Sequence, residues 1–256
     1  MFRPTFIAAL MILAAGSIQA ASNRTVQFRT PDGTGIVATY NSVDRASTPA
    51  VVLVHGLTEN RGVWTNFADR LASNGIASLA IDLRGYGDSI RRTAAAGTIY
   101  LDYREFRAID FRDMLLDVNS AVDWLLAQPG VDPHRIGIVG ASVGGNIVLR
   151  YAVVNSDLAA IVALSPGIVY KDVRTDDVIG KIPNRPLRLL VAQDDAFAFE
   201  SCKRLMAIRK GLEDASDQTE MKACAGNAHG TDLLRRVDGV AEWLADWLKQ
   251  MLSATK

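Results

Sequence analysis

Histidine and cysteine are the scarce residues of this chain, three His and two Cys among 256 residues. The histidines stand singly at 55, 134 and 229, and the cysteines, Cys202 and Cys224, are far apart. Neither set has the close spacing of a metal site, which excludes a zinc-type centre and leaves no cofactor expected. No charge of one sign is in excess, with 28 basic against 28 acidic residues and no Lys/Arg run, so the electrostatic footprint of a nucleic-acid binder is missing. Internal repeats and low-complexity tracts are missing as well. Long apolar runs are absent except near the start, and that one is too short to span a membrane stably.

That run belongs to residues 1–20, where Arg3 precedes apolar Phe6–Ala15 and Gly16-Ser17-Ile18-Gln19-Ala20 ends on a small residue. The pattern reads as a secretory signal peptide. It predicts a protein of the periplasm or the medium, with residues 21–256 as one domain, a monomer or homodimer, and no membrane attachment after cleavage. In an oxidising compartment Cys202 and Cys224 are candidates for one disulfide, worth about 3 kcal/mol. The alternative is two buried thiols.

With 49% apolar and 22% charged residues the chain can bury a sizeable core. Thr25–Arg29 and Ile36–Asn41 alternate polar and apolar residues around Pro31-Asp32-Gly33, predicting an edge hairpin. Ala50–Val54, Ile76–Ile81, the run before Ser142, Ala159–Ser165, Leu187–Ala192 and Glu220–Ala223 read as six further strands, most of them continuous apolar runs covered on both faces. Between them lie helical patterns, a long one over 105–128 and a final one over 231–252. Alternating strands and helices predict a mostly parallel, eight-stranded sheet wrapped on both faces, an α/β fold. Residues 90–104 read as an insertion.

Gly140-Ala141-Ser142-Val143-Gly144 stands where a strand run turns helical. A Ser on so sharp a turn is lifted out of the sheet, and the N–H of Val143 at the helix start faces an oxyanion formed there. The plainer reading is a Ser that only caps a helix. A Ser hydroxyl needs a base, and His alone titrates near neutrality unperturbed. His134 lies at the wrong end of its strand. His55 precedes Gly56 and is suited to shaping the loop that offers the Leu57 N–H as second oxyanion donor. His229, in Gly226-Asn227-Ala228-His229-Gly230 after the last strand, is the favoured base. Its acceptor is Asp195, with Asp194 as alternate, both directly after Leu187–Ala192.

Taken together, His55-Gly56, Asp82-Leu83-Arg84-Gly85-Tyr86-Gly87-Asp88-Ser89, Gly140-Ala141-Ser142-Val143-Gly144-Gly145-Asn146, Leu164-Ser165-Pro166-Gly167, Asp195 and Ala228-His229-Gly230 resemble the α/β-hydrolase fold family. The likeness is to small, lightly capped dienelactone-hydrolase-like and carboxylesterase-like members. The resemblance implies a triad of Ser142, Asp195 and His229, oxyanion donors Leu57 and Val143, and a metal-free acyl-serine mechanism. Dienelactone hydrolases use Cys where Ser142 stands, so their substrate is not implied. Caps in this fold follow the sixth strand, and here that segment is only residues 167–185, which implies an open site for short or exposed small-molecule esters. Residues 90–104, with Tyr100, Tyr103, Arg91 and Arg92, are expected to form one wall. Peptidase-like or thioesterase activity on the same triad, and a non-catalytic binding protein of the same fold, are the competing readings.

Overall fold

The computed structural model describes residues 22–211 and 218–253, so the signal segment read at 1–20 lies outside the described residues. The chain opens with strands β1 (Ser22–Arg29) and β2 (Thr34–Ser42), then β3 (Thr48–Val54). Helix α1 (Thr65–Ser73) leads to β4 (Ala77–Ile81), a hairpin of β5 (Arg91–Ala94) and β6 (Gly97–Tyr100), and helices α2 (Ala108–Arg112) and α3 (Met114–Leu126). Strand β7 (Val131–Ala141), helix α4 (Val143–Val154) and β8 (Ala160–Leu164) follow, then the short strands β9 (Val169–Tyr170) and β10 (Val173–Arg174). The last elements are β11 (Leu187–Ala192), α5 (Ala196–Lys210), β12 (Thr219–Cys224), α6 (Asp232–Arg236) and α7 (Val240–Ser253).

One ten-stranded sheet runs in the order β12-β11-β8-β7-β3-β4-β2-β5-β6, with β1 also paired to β2. The six strands from β12 to β4 are parallel, and β1, β2, β5 and β6 extend them antiparallel. The period-two direction of strand side chains splits the apolar runs into two cores. Val52 and Val54 of β3 join the core under α3, α4 and α5, while Val51 and Leu53 join the core under α1 and α7. This double covering is why β3, β4 and β8 are buried along their whole length. Strand order reverses between β3 and β7, and the crevice beyond the carboxyl ends of such neighbours is where this architecture collects ligands.

Three expectations need correction, and one open choice is narrowed. The sheet has ten strands rather than eight, because the 90–104 insertion contains the β5–β6 hairpin; its residues are largely exposed and carry no core-facing alternation. The helix expected over 105–128 breaks at Asp113 into α2 and α3. The helix expected over 231–252 breaks before α7, where Gly239 takes a φ of +73° that stops α-helical propagation. Of the two readings for the cysteines the structure has the buried thiols: Cys202, on α5, lies in the core on one face of the sheet and Cys224 in the core on the other, and both are free. Burial raises both thiols above the ordinary cysteine range.

Candidate active site

Strand β7 delivers Ser142 to the turn into α4 with φ 54° and ψ −121°, a conformation disfavoured for a side-chain-bearing residue. It is held by the Ser142 N–H donating to Leu164 O at 2.8 Å. The helix can follow so closely only because position 144 lacks a side chain: a Cβ there would lie 2.3 Å from His55 O. The elbow thus seats Ser142 against the end of β3, where a Cβ on Gly56 would lie 3.2 Å from that of Ser142.

The loop after β3 is fixed by a buried histidine. His55 receives the Leu83 N–H on Nε2 at 3.1 Å, so Nδ1 carries the proton and donates to Gly56 O at 2.7 Å. Burial lowers the His55 pKa, which keeps the ring neutral in this role. The Asp82–Ser89 loop that supplies Leu83 is itself anchored. Asp82 accepts the N–H groups of Arg61 and Asp88 at 2.7 and 2.8 Å and pairs with the Arg61 side chain. Arg84 reaches buried Asp117 of α3 through its backbone N–H at 2.9 Å and its guanidinium at 2.7 Å, and Asp32 at 2.9 Å. Burial outweighs Arg84 and pushes the Asp117 carboxyl up to about 6.

His229 stands on the loop between β12 and α6, with Nε2 2.9 Å from Ser142 Oγ and Nδ1 2.6 Å from Asp195 Oδ2. The structure therefore brings together Ser142, His229 and Asp195. Asp194 is not the partner: its side chain is exposed, and its backbone N–H instead ties the loop to Gly226 O at 2.9 Å. His134 is exposed near the opposite end of β7 from Ser142. The His229 side chain is 42% exposed and that of Asp195 14%, so the base faces solvent while its carboxylate is largely shielded.

Several residues that support this arrangement escaped the sequence reading. Buried Ser165 accepts the Gly230 N–H at 3.0 Å, steadying the His229 loop; its signal was the Leu164-Ser165-Pro166-Gly167 stretch. Glu59 receives the Gly56 N–H at 2.8 Å on one oxygen and the Thr231 hydroxyl on the other, which links the Leu57 loop to the His229 loop. Tyr170 packs edge-on to His229 with ring centroids 6.1 Å apart, and Phe197 lies 5.4 Å from Tyr170. Tyr100 and Tyr103 of the 90–104 segment line a groove of about 610 Å³ that runs from Thr58–Asn60 past Tyr86 to Glu105, and none of the triad residues lines it. Arg91 stacks over Tyr100 at 6.0 Å, and Arg92 lies 4.0 Å from Asp32.

Comparison with known proteins bears on the family and the fold. The family model described as serine aminopeptidase, S33, matches residues 45–199. The quorum-quenching protein AidA of Acinetobacter baumannii is 30% identical over 55% of this chain and 43% of its own length. The thiohydrolase aneE of Aspergillus aculeatus is 27% identical over 66% of this chain and 50% of its own. The chain thus spans about half the length of these relatives. Among solved structures, the Pyrococcus furiosus esterase Pf2001 superposes with a TM-score of 0.69 at 18% identity, covering 98% of each chain, a likeness of fold. With the family matched from ahead of β3 to the first turn of α5, around the strands that carry His55, Ser142 and Asp195, the chain belongs to the serine aminopeptidase S33 family of α/β-hydrolases.

Proposed function

We propose that this hydrolase is an exported serine esterase that cleaves short or exposed carboxylic esters through an acyl-serine intermediate. The observation that carries the reading is the hydrogen-bonded line from Asp195 through His229 to Ser142 Oγ. In the first step Ser142 Oγ attacks the ester carbonyl carbon as its proton passes to His229 Nε2. Asp195 holds Nδ1–H and offsets the imidazolium charge. The carbonyl oxygen, now negative, accepts hydrogen bonds from the backbone N–H groups of Val143 and Leu57. Collapse breaks the bond to the alcohol oxygen, which leaves with the proton from His229. Water then repeats the sequence on the acyl-serine, releasing the acid and restoring Ser142.

Short or exposed esters are favoured because His229 faces solvent and the segment after β8 contributes short pieces, the β9–β10 hairpin and a 3₁₀ turn at Ile179–Lys181. A thioester is the second reading, since aneE is named a thiohydrolase and the acyl step is the same. Aminopeptidase action finds less support. An anion for a substrate ammonium is needed, and the carboxylate of Glu59 beside the site is already engaged by Gly56 and Thr231. Export rests on residues 1–20; no described helix is long and apolar enough to cross a membrane.

The test is a fluorophosphonate probe followed by p-nitrophenyl esters of increasing acyl length. Labelling of the wild type but not of Ser142→Ala, with kcat/KM highest for short acyl groups, is expected. Equal labelling of both proteins overturns Ser142 as the nucleophile, no labelling of the wild type favours a binding protein, and rates that climb steadily with chain length overturn the open site. N-terminal sequencing of secreted protein should begin after residue 20, and a start at Met1 overturns cleavage.

A further inference from the structure

Phe197 is 53% exposed on the first turn of α5, two residues after Asp195, in a position where folding gains little from a phenyl ring. Its neighbour Tyr170 belongs to the β9–β10 hairpin, whose turn residues Lys171 and Asp172 both take positive φ, 47° and 63°. The two rings meet over Gly167, where a Cβ would fall 2.7 Å from Tyr170 and 2.8 Å from Phe197. Tyr170 in turn stands perpendicular to the His229 ring. An aromatic surface is therefore built against the imidazole by elements from two separate parts of the chain.

Its contact with the His229 ring suggests its occupant. The proton taken by His229 Nε2 is handed to the departing oxygen, so whatever is bonded to that oxygen lies beside His229. The carbonyl oxygen is instead taken up by the N–H groups of Val143 and Leu57 in the esterase reading. We propose that Tyr170 and Phe197 form a leaving-group subsite that receives the flat ring of an aryl or arylalkyl alcohol, making esters of such alcohols the preferred substrates. The proposal rests on the esterase reading. Offset or edge-to-face contact with two rings gives an aromatic alcohol an advantage that an alkyl chain of similar length does not share.

Benzyl and n-pentyl acetate are suitable probes, because both release a weakly acidic primary alcohol, share one acyl group and extend to a similar length. The wild type is expected to favour benzyl acetate by about five- to tenfold in kcat/KM. In Phe197→Ala that ratio should fall toward one, Phe197→Tyr should retain it, and Val154→Ala, exposed at the far end of α4 from Ser142, should leave it as in the wild type. A wild type that reacts with fluorophosphonate yet shows a benzyl/pentyl ratio near one overturns the subsite alone. A ratio that persists in both Phe197→Ala and Tyr170→Leu does so too. A wild type that does not react with the probe overturns the underlying esterase reading. Because the selectivity of the unaltered protein is itself decisive, poor folding of a variant leaves the proposal exposed to refutation.

Discussion

Glu59 is the residue through which the two halves of the site should be coupled. Its carboxylate holds the Gly56 N–H at 2.8 Å and the hydroxyl of buried Thr231, two residues beyond His229. Truncation in Glu59→Ala removes two hydrogen bonds to an ionised group, each worth about 1.5–3 kcal/mol where no water replaces them. Glu59 is partly exposed, so water restores part of that loss. What it cannot restore is alignment. Loss of a whole oxyanion donor costs about 10²–10³-fold in kcat, and here the loop is still held by His55, so a fall of about 10–100-fold is expected. KM should move by less than about threefold, since the bond acts on the transition-state oxygen rather than on substrate binding. Glu59→Gln should recover most of the rate, because the amide oxygen accepts from Gly56 and the amide nitrogen donates to Thr231 Oγ. Steady-state kinetics on a short ester, with a thermal melt of each variant, decides. Unchanged kcat in Glu59→Ala, an equal loss in Glu59→Gln, or a change confined to KM refutes the positioning role.

Three further outcomes follow from the same geometry. Asp195→Asn should lower kcat by about 10³–10⁴-fold by misplacing the His229 tautomer, whereas Asp194→Asn should stay within about twofold; comparable losses would return the acid to doubt. Burial holds His55 below its ordinary 6.5, so the unfolded chain binds a proton that the folded chain refuses. Stability from this group is complete above 6.5 and is lost as pH falls through it. Urea midpoints of wild type and His55→Asn should converge between about pH 7.5 and about pH 5.5, at up to about 1.4 kcal/mol per pH unit; a constant gap contradicts the assignment. Cys202 and Cys224 should both resist a thiol reagent in the native protein and both react after unfolding without reductant, while no reaction after unfolding would restore the disulfide.

The parts of this molecule legible in the sequence are those where local chemistry is decisive. Ala50–Val54 cannot be anything but a strand with two covered faces, and the glycines flanking Ser142 mark a turn that other residues would obstruct. The breaks at Asp113 and Gly239 were hidden inside apolar periodicities that continue across them. The β5–β6 hairpin was hidden because exposed strands carry no burial pattern. The choice between Asp194 and Asp195 depends on which way one residue of a turn faces, and adjacent residues differ only in three dimensions. Glu59, Tyr170 and Phe197 reach the site from a loop, a short strand and a helix start, a convergence that spacing along the chain does not encode.

The claim on which everything else depends is that Ser142 carries the acyl group between the two half-reactions. Rapid quenching of the wild type with a slowly deacylating ester, followed by peptide mass analysis, should find one acyl group on the peptide containing Ser142. The modification should be absent from Ser142→Ala and should fail to accumulate in His229→Ala. Turnover of ester with the acyl group on another residue, or an equal yield of acyl-Ser142 in His229→Ala, would contradict the account.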